Sequence, residues 1–574
     1  MKRFIFLCLL QMIVALNATG QSLFSLDATS DTPRREVRAI WLTTLKGLDW
    51  PKRPAVTPEE TEQQKKELIV ILDQLQAAGI NTVLFQSRIR STTAYPSDIE
   101  PWDGIFTGTP GKAPLYDPLQ LALDECHKRG MELHAWVVAY PICDVKVAKV
   151  LGKEALPNRH RNLCQRCGDK WMMDPGVPGT DDYIASMCAE IVQKYPVDGM
   201  HLDYIRYPEH GVPFNDYRTY RKYGKGKQRN AWRKENIDRA VRKIHDAVKT
   251  IRPWVKLSCS PIGKYADLPQ QSSYGWNARD AVHQDAQAWL RDGLMDMIFP
   301  MLYFDGKHFY PFIQDWQAHS YGRQVVPGLG TYLLHPKQKD WKLEDFRRQM
   351  LFAREIGTSG HAQFRSLFFT DNVKGIYDFV AHDLYRKRVQ TPAMTWEDSI
   401  APSIPEATIT TDHQSIALHW KPAVDNQPSV PVSYNIYYSP TDTFDIQTAT
   451  PLAFGVKVCQ YQYFPGLPST RRGYYAVTAV DAYGNESAGK AISAYVENPP
   501  RTFVCPADSK VAVPAIDGAE YLLVCDITGK SVFTTSYQDT INVSSLAPGF
   551  YSLRTLGKKG KSHYLFTFWK ERGK

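Results

Sequence analysis

The amino-acid sequence predicts an α/β protein, a (β/α)8 TIM-like barrel followed by two small all-β sandwich modules. Three observations support this prediction. From Val37 to Tyr385, short apolar runs alternate with amphipathic segments, and eight such units in about 350 residues are typical of this barrel. No Gly-rich phosphate loop follows an early strand, as a doubly wound open sheet would show. Beyond residue 392 the alternation stops, and short strands with turn residues follow.

The composition excludes several classes of protein. The 574 residues are 43% hydrophobic, 12% aromatic and 22% charged, as in a folded globular protein and unlike a disordered or collagen-like chain. The formal charge of +9 is no nucleic-acid signature, so no nucleic-acid partner is expected. Past the first twenty residues no apolar run is long enough to cross a bilayer, so no membrane span is expected.

The N-terminal segment has the pattern of a signal peptide over residues 1–20. A basic start, an apolar run from Phe4 to Leu16 and the small residues of Ala18-Thr19-Gly20 follow in the required order. Cys8 lies inside the apolar run and not at the cleavage point, so a lipoprotein anchor is not indicated. We expect export to the periplasm, the outer-membrane surface or the medium; the alternative is a buried N-terminal helix.

Cysteine usage predicts neither a disulfide scaffold nor a metal site. Ten cysteines less Cys8 leave an odd number, nine, in a chain of more than 500 residues. Cys164 and Cys167 have the CxxC spacing of zinc-binding motifs, and His160 lies nearby in the sequence. Zinc needs four ligands, however, and no second CxxC or HxxxH pair appears. We expect no metal and no cofactor, and either a loop disulfide or two free thiols at this pair.

The barrel is predicted over residues 34–390. Thr57 and Glu60 form a capping box that begins the first helix, Gly79 ends it, and Asp117 begins the second. The apolar runs predict strands that begin at Val37, Ile80, Met131, Asp198, Trp254, Met295, Arg323 and Gly360. Amphipathic periods predict helices over 58–78, 117–130, 181–195, 234–252, 281–291, 312–319, 343–356 and 376–385.

Polar residues converge at one end of the predicted barrel. Residues two apart in a strand share a face, so alternation predicts which polar side chains point toward the barrel axis. Those near the C-terminal ends of the strands matter most, because barrel enzymes build their sites there. They are Gln86 and Arg88, His134 and Trp136 with Tyr140 beyond, His201 and Asp203, Ser258 and Ser260, Tyr303 and Asp305, and His361, Gln363 and Arg365. An unpaired buried polar group costs about 1–3 kcal/mol, so this convergence predicts a binding or catalytic mouth.

Aromatic side chains at the same end suit carbohydrate. Their flat faces pack on sugar C–H groups, although some are expected to be packing residues and Tyr204 is expected to point outward. These residues are Tyr95, Trp102, Trp136, Tyr140, Tyr204, Tyr207 and Tyr303.

Two carboxyl groups are needed to cleave a glycosidic bond. Asp203 is the first candidate, and Arg206 is expected to keep it ionised, as a nucleophile or cation-stabilising group must be. Asp305 is the candidate for the acid. The alternatives for the acid, on loops at the same rim, are Glu100, Asp144, Asp174 and Glu209.

The run from Arg35 to Phe369 resembles the glycosyl hydrolase-like 10 family of bacterial envelope proteins. The matching stretches are REVRAIWLTT, YPSDIEPWDGIFTGTPGKAPLYDPL, MELHAWVVAY, WMMDPGVPG and VDGMHLDYIRYP, in this order. The resemblance implies a TIM-like barrel, a glycosidase-like site and a substrate similar to peptidoglycan glycan strands stripped of their peptides. The site positions that it implies are Arg38, Arg88, His134, Trp136, Asp174, Asp203 and Tyr207.

The chain departs from the family pattern at two places. Asp203-Tyr204 stands where two consecutive Asp residues are expected, and Val138 to Pro141 replaces an end similar to Asn-Pro-Tyr-Arg. The complete set of expected substrate-binding residues is Arg38, Gln86, Arg88, Trp102, His134, Trp136, Tyr140, Asp174, His201, Arg206, Tyr207, Tyr303, Gln363 and Arg365.

Two modules are predicted behind the barrel. Residues 401–498, with Trp420, Tyr437 and Tyr475, resemble a fibronectin type III sandwich that serves as a spacer or docking platform. Residues 500–574 resemble the C-terminal sorting domain of the type IX secretion system in DITGK and SSLAPGFYSLR, which implies a Gram-negative source of Bacteroidota type. The terminal ERGK departs from that pattern, and a plain β-module is the alternative.

These observations predict an exported glycoside hydrolase that acts on bacterial cell-wall or related amino-sugar glycans. The alternative is a non-catalytic glycan-binding or surface-anchoring protein that uses the barrel as a scaffold.

Overall fold

A computed structural model of the chain describes residues 33–570, except for 210, 270, 272, 412–414, 464–471, 496–501, 506–509, 514–518, 527–528, 548 and 558–561. The predicted signal peptide and the terminal ERGK lie outside the described residues. Among the helices of the described part, none combines the length and the apolar character that crossing a membrane requires.

Nine parallel strand segments, which make up eight strands, form one sheet that curls into a barrel, and this confirms the predicted fold class. They are β1 (Val37–Leu42), β2 (Thr82–Arg88), β3 (Glu132–Val138), β4 (Gly199–Asp203), β5 (Lys256–Cys259), β6 (Met297–Ile298), β7 (Gln324–Val325 and Gly328–Leu329) and β8 (Gly360–Gln363). Neighbours in sequence pair with each other, and β8 pairs with β1. The ring closes at β7, because its first part pairs with β6 and its second part with β8.

A helix follows each strand. The helices are α1 (Pro58–Ala77), α2 (Pro118–Lys128), α3 (Thr180–Lys194), α4 (Arg229–Ile251), α5 (Ala286–Arg291), α6 (Gly306–Ala318), α7 (Leu343–Glu355) and α8, which begins as Ile376–Asp378 and continues as a π-helical turn over Phe379–Leu384. The predicted capping box of α1 is present: the Thr57 hydroxyl accepts from the Glu60 amide at 3.2 Å, and the Glu60 carboxylate accepts from the Thr57 amide at 3.1 Å. Short helices over Val145–Leu151, Leu156–Arg159, Tyr217–Tyr223 and Ser366–Thr370 lie in the loops.

Two faces of the strands bury two different cores. Leu133 and Leu202 point outward and pack with the helices, as alternation predicts. The inner core contains Trp41, Trp136, Phe299 and other apolar side chains around the axis. Burial on both faces explains why the strands are rich in apolar residues on both sides.

The predicted facing of β8 is wrong. Ala362 belongs to the inner core, whereas His361 and Gln363 face the helices. The His361 ring lies 2.8 Å from the Met350 carbonyl of α7 and 3.0 Å from the Tyr385 hydroxyl that follows α8. These partners hold the strand one residue out of the predicted phase.

An inserted sheet stands between β3 and α3. Its strands are Pro141–Asp144, Cys164–Cys167 and Lys170–Met173, with the last in the middle. Cys164 and Cys167 are buried at the two ends of one strand, and both thiols are free. The insertion extends one wall of the barrel at its C-terminal end.

Two all-β modules follow the barrel. In the first, Ala407–Thr411, Ile416–Trp420 and Gln460–Tyr463 form one sheet, and Thr450–Val456, Val432–Ser439, Arg472–Asp481 and Ile492–Tyr495 form the other. The second has a five-stranded sheet of Thr502–Cys505, Ser562–Lys570, Gly549–Gly557, Ala519–Cys525 and Ser531–Ser536, with a two-stranded sheet of Lys510–Ala512 and Thr540–Asn542. Each module buries an apolar core of its own.

Candidate active site

A cavity of about 490 Å³ opens at the C-terminal ends of the barrel strands. Strand ends form its floor, and the inserted sheet contributes Pro141, Trp171 and Met172 to one wall. Part of the predicted site lines this cavity, namely Gln86, Trp136, Asp203, Arg206, Tyr303 and Arg365. Its size is in the range of ordinary small-molecule sites.

Asp203 ends β4 and faces the cavity, as alternation predicts. Its carboxylate accepts hydrogen bonds from Trp136 Nε1 at 3.2 Å, from the Ser260 hydroxyl at 3.1 Å and from the Tyr204 amide at 2.8 Å. Burial raises the pKa of Asp203, and the opposing effects of Arg206 and these donors do not cancel the increase. Arg206 acts in the direction expected of it, since its charge lowers the pKa of Asp203, but burial outweighs this effect and the net pKa lies above the ordinary value.

Arg206 lies beside Asp203 and pairs with a second carboxylate. Its Nη2 donates to Glu209 Oε1 at 3.0 Å. Among the described residues that line the cavity, only Asp203 and Glu209 carry carboxyl groups. Glu209 is half-exposed, with a side-chain accessibility of 46%. The cavity therefore presents one buried and one solvated carboxyl group, which the same arginine adjoins.

Asp305, the predicted acid, does not line the cavity. It is exposed at the residue before α6, so the chain turns into that helix instead of continuing the inward row of β6. Tyr303, two residues earlier, does reach the cavity. Glu209, one of the alternatives for the acid, lines the cavity where Asp305 does not.

Gln86 and Arg365 fix the loop after β1. Gln86 Oε1 accepts from the Thr43 hydroxyl at 2.6 Å and from the Leu45 amide at 2.9 Å. Arg365 forms an ion pair with buried Asp49, which also accepts from the Thr43 amide at 3.0 Å. Both residues line the cavity, and their hydrogen bonds fix the loop that forms part of its wall.

Tyr204 lines the cavity, although alternation predicts that it points outward. Its φ of 52° is left-handed, which is uncommon for a residue other than glycine. This conformation turns the chain directly after Asp203 and explains the difference.

His201 and His134 face the axis as predicted but lie beneath the cavity. The His201 ring accepts from Trp41 Nε1 at 3.2 Å and lies 3.0 Å from the Ser258 hydroxyl, so both of its nitrogens have partners. Burial lowers the pKa of His201 well below its usual value, so the ring is neutral. His134 lies 3.1 Å from Glu132 near the N-terminal end of β3. Both support the strands, and neither lines the cavity.

Arg38 and Gln363 lie among the helices and not at the mouth. Arg38 is on the outward face of β1, where it pairs with Glu36 at 2.8 Å and stacks on Tyr385 at 4.2 Å. Gln363 contacts the Met350 sulfur because β8 has the opposite phase. Neither of these two expected substrate-binding residues lines the cavity.

Arg88 supports the site from behind. A register shift between Gln86 and Arg88 rotates the end of β2, so Arg88 leaves the inward row. Its guanidinium pairs with Glu100 at 2.6 and 2.7 Å and donates to the Ala139 carbonyl at 2.8 Å. Arg88, which we expected to bind substrate, is thus a buried residue that stabilises the end of β3.

Four further expected residues also lie away from the cavity. Asp174 accepts from the Gly176 amide at 3.0 Å and the Thr219 hydroxyl at 2.6 Å, which closes the loop before α3. The Tyr207 hydroxyl accepts from Asn236 of α4 at 3.1 Å. Tyr140 is buried, and Trp102 is half-buried in the loop after β2. Asp174 thus fixes a loop through hydrogen bonds, and the three aromatic residues are wholly or partly buried away from the cavity.

Several lining residues were not predicted from the sequence. Arg90, Lys170 and Trp171 reach the cavity, the last two from the inserted sheet. Trp171 belongs to the stretch WMMDPGVPG, one of those that carry the family resemblance, and this was the signal in the sequence that could have identified it as a site residue. Among the described residues, no group of three or more His, Cys, Asp and Glu side chains could hold a metal ion.

Comparison with known proteins identifies the family of the chain. Residues 36–329 match the glycosyl hydrolase-like 10 family. The chain is 31% identical over 487 residues to glycosyl hydrolase YngK of Bacillus subtilis (strain 168), covering 81% of this chain and 94% of that protein. It is 36% identical over 296 residues to glycosyl hydrolase DigH of Escherichia coli (strain K12), covering 48% of this chain and 67% of that protein. The chain belongs to the glycosyl hydrolase-like 10 family.

Proposed function

We propose that the protein is a glycoside hydrolase that cleaves glycosidic bonds in peptidoglycan-type or related amino-sugar glycans. One observation carries the proposal: Asp203 is buried at the cavity floor with a raised pKa, and Glu209 lines the same cavity. Glycoside cleavage needs a protonated carboxyl group and an ionised one at one bond. Family membership supports the same reaction class.

The environments of the two carboxyl groups suggest their roles. Asp203 donates its proton to the glycosidic oxygen as the bond to the anomeric carbon breaks, a role that suits a buried carboxyl group with a raised pKa. Glu209, which is solvated and paired with Arg206, serves either as the nucleophile or as the base that activates water. In both cases the oxygen of water ends bonded to the anomeric carbon in place of the leaving group. Trp136 and Ser260 then stabilise the Asp203 carboxylate that the transfer leaves behind.

Export and the C-terminal modules belong to the same proposal. A signal peptide over residues 1–20 would direct the chain to the cell envelope, where peptidoglycan is found. We propose a fibronectin type III-like module over 401–498 and a sorting-type module over 500–574. The two-sheet form of the first module supports its assignment.

The test is sugar release from purified peptidoglycan, both intact and with its peptides removed by an amidase. Soluble products of the wild type and Asp203→Asn are compared by mass spectrometry. We expect muro-oligosaccharides from the wild type only, and more of them from the stripped material.

Asp292→Asn is the matched control, because Asp292 is exposed and pairs with Arg291 outside the cavity. Thermal unfolding checks that each variant is folded. Release by Asp203→Asn at the wild-type rate would refute its role. Binding of stripped glycan without release by the wild type would favour the non-catalytic alternative.

A further inference from the structure

An aromatic ledge continues from the cavity onto the surface. We call Tyr204, Arg206 and Trp276 the rim ledge. The guanidinium carbon of Arg206 lies 4.5 Å from the centre of the Tyr204 ring and 6.0 Å from that of Trp276. Tyr204 and Arg206 line the cavity, whereas Trp276, in the loop between β5 and α5, does not. The ledge thus links the cavity to a neighbouring loop.

The two rings of the rim ledge are exposed, but their supports are buried. Tyr204 is 37% and Trp276 40% exposed, whereas Arg206 is 3% exposed. The buried side chain of Asn277, next to Trp276, accepts from the Asp280 amide at 2.7 Å and fixes the turn there. The buried Arg206 guanidinium lies near both rings, and with the hydrogen-bonded turn at Asn277 it preorganises this surface before any ligand arrives.

We propose that the rim ledge is a sugar-binding subsite outside the cavity, in which Trp276 stacks on a pyranose ring of the same glycan chain that the cavity holds. The inference rests on the proposed function. Aromatic faces pack on the apolar C–H face of a sugar, and the continuity of the ledge with the cavity identifies the occupant as the next part of the bound chain. The protein therefore favours long strands over short ones.

The test measures length preference with stripped peptidoglycan strands separated by size. KM is compared for a tetrasaccharide and an octasaccharide in the wild type, Trp276→Ala and Trp276→Phe. The wild type is expected to have the lower KM for the octasaccharide. Trp276→Ala abolishes most of this preference, a change of up to about tenfold, and Trp276→Phe retains part of it because phenylalanine still stacks.

Tyr321→Ala is the matched control, since Tyr321 is also exposed, at 48%, but lies before β7 at the opposite end of the barrel. It should keep the wild-type preference. An unchanged preference in Trp276→Ala, or an equal loss for both lengths, would overturn the subsite.

Calorimetric binding of the same two oligosaccharides separates this inference from the proposed function. It is performed in the Asp203→Asn background with and without Trp276→Ala. Tighter binding of the octasaccharide that depends on Trp276 supports the subsite even if the wild type releases no sugar. Sugar release by the wild type without any length preference in either assay rejects the subsite and leaves the proposed function standing.

Discussion

Trp136 donates a hydrogen bond from its indole Nε1 to Oδ2 of Asp203, at 3.2 Å. The bond joins the ends of the neighbouring strands β3 and β4, which pair so that Val138 lies opposite Asp203. Like the Ser260 hydroxyl and the Tyr204 amide, this donor favours the ionised carboxyl, while burial favours the protonated one and prevails. The pKa of Asp203 therefore reflects a balance between burial and these hydrogen-bond donors, and replacing one donor such as Trp136 should shift it.

Trp136→Phe should move the alkaline limb of the pH–rate profile to higher pH. If Asp203 is the acid, activity falls as the pH rises through its pKa, because the proton is lost. Loss of the indole donor destabilises the ionised form, raises the pKa and shifts the limb upward by about one pH unit. The measurement is kcat/KM against pH. Trp171→Phe is the control, since Trp171 also lines the cavity and should leave the limb in place.

Glu209→Gln and Asp305→Asn should have opposite outcomes. Glu209 lines the cavity next to Arg206, so its neutral variant should lose about 10²–10⁴ in kcat/KM, the usual contribution of an acid–base group. Asp305 is exposed outside the cavity, so Asp305→Asn should keep wild-type activity. Rates on stripped peptidoglycan decide between them. A large loss in Asp305→Asn with Glu209→Gln active would restore the assignment made from the sequence.

The barrel was predictable because its signals are local. Each strand is an apolar run and each long helix an amphipathic period, and the capping box at Thr57 marks a helix start without reference to the rest of the fold. Alternation also placed Trp136 and Asp203 correctly, because β3 and β4 are regular up to their ends. A regular strand carries its facing in its sequence.

The errors arose where tertiary contacts decide the facing. The register shift before Arg88 and the left-handed backbone of Tyr204 each reorient one residue, and neither position carries a glycine that would signal it. The phase of β8 depends on contacts of His361 with α7 and Tyr385, which are distant in sequence. The inserted sheet, which forms part of the cavity wall, is not one of the strand-helix units of the barrel. The repeating pattern of the sequence therefore gave no indication of it.

Glu36→Gln should destabilise the protein at neutral pH but not in acid. Burial would raise the pKa of Glu36, but Arg38 and Arg354 lower it to about 2. A carboxyl with a lowered pKa stabilises the fold above its unfolded pKa near 4.5, and this contribution disappears as the pH falls toward 2. The shift corresponds to about 3 kcal/mol of unfolding free energy at pH 7.

Urea unfolding of the wild type and Glu36→Gln between pH 7 and pH 3 measures this difference. The gap between the two proteins should narrow steadily below about pH 4.5. Glu355→Gln serves as the control, because Glu355 is exposed next to Arg354 on α7 and should have no effect. A gap that is the same at pH 7 and pH 3 would mean that the charge of Glu36 contributes nothing.

Glu486→Gln should loosen the first β module from the barrel. Glu486 belongs to that module, and its buried carboxylate accepts from Arg34 at 3.0 Å and Arg35 at 3.2 Å, just before β1. It also accepts from the Tyr437 hydroxyl at 2.7 Å within the module. Removing the charge takes the anionic partner from two arginines, although Arg35 still donates to the Thr391 and Gly484 carbonyls. The cost is about 2–3 kcal/mol, because both arginines are partly exposed.

The loss should appear as a lower Tm and as faster proteolysis between the barrel and the module. Glu406→Gln provides the comparison, since Glu406 pairs with Lys421 in the same module but is exposed, and surface pairs contribute little. Because Arg34 and Arg35 lead into β1, release of the module should also destabilise the barrel, so both should unfold in one transition in the wild type. Two separate transitions in the wild type would show that the module is an independent spacer, as the sequence suggested.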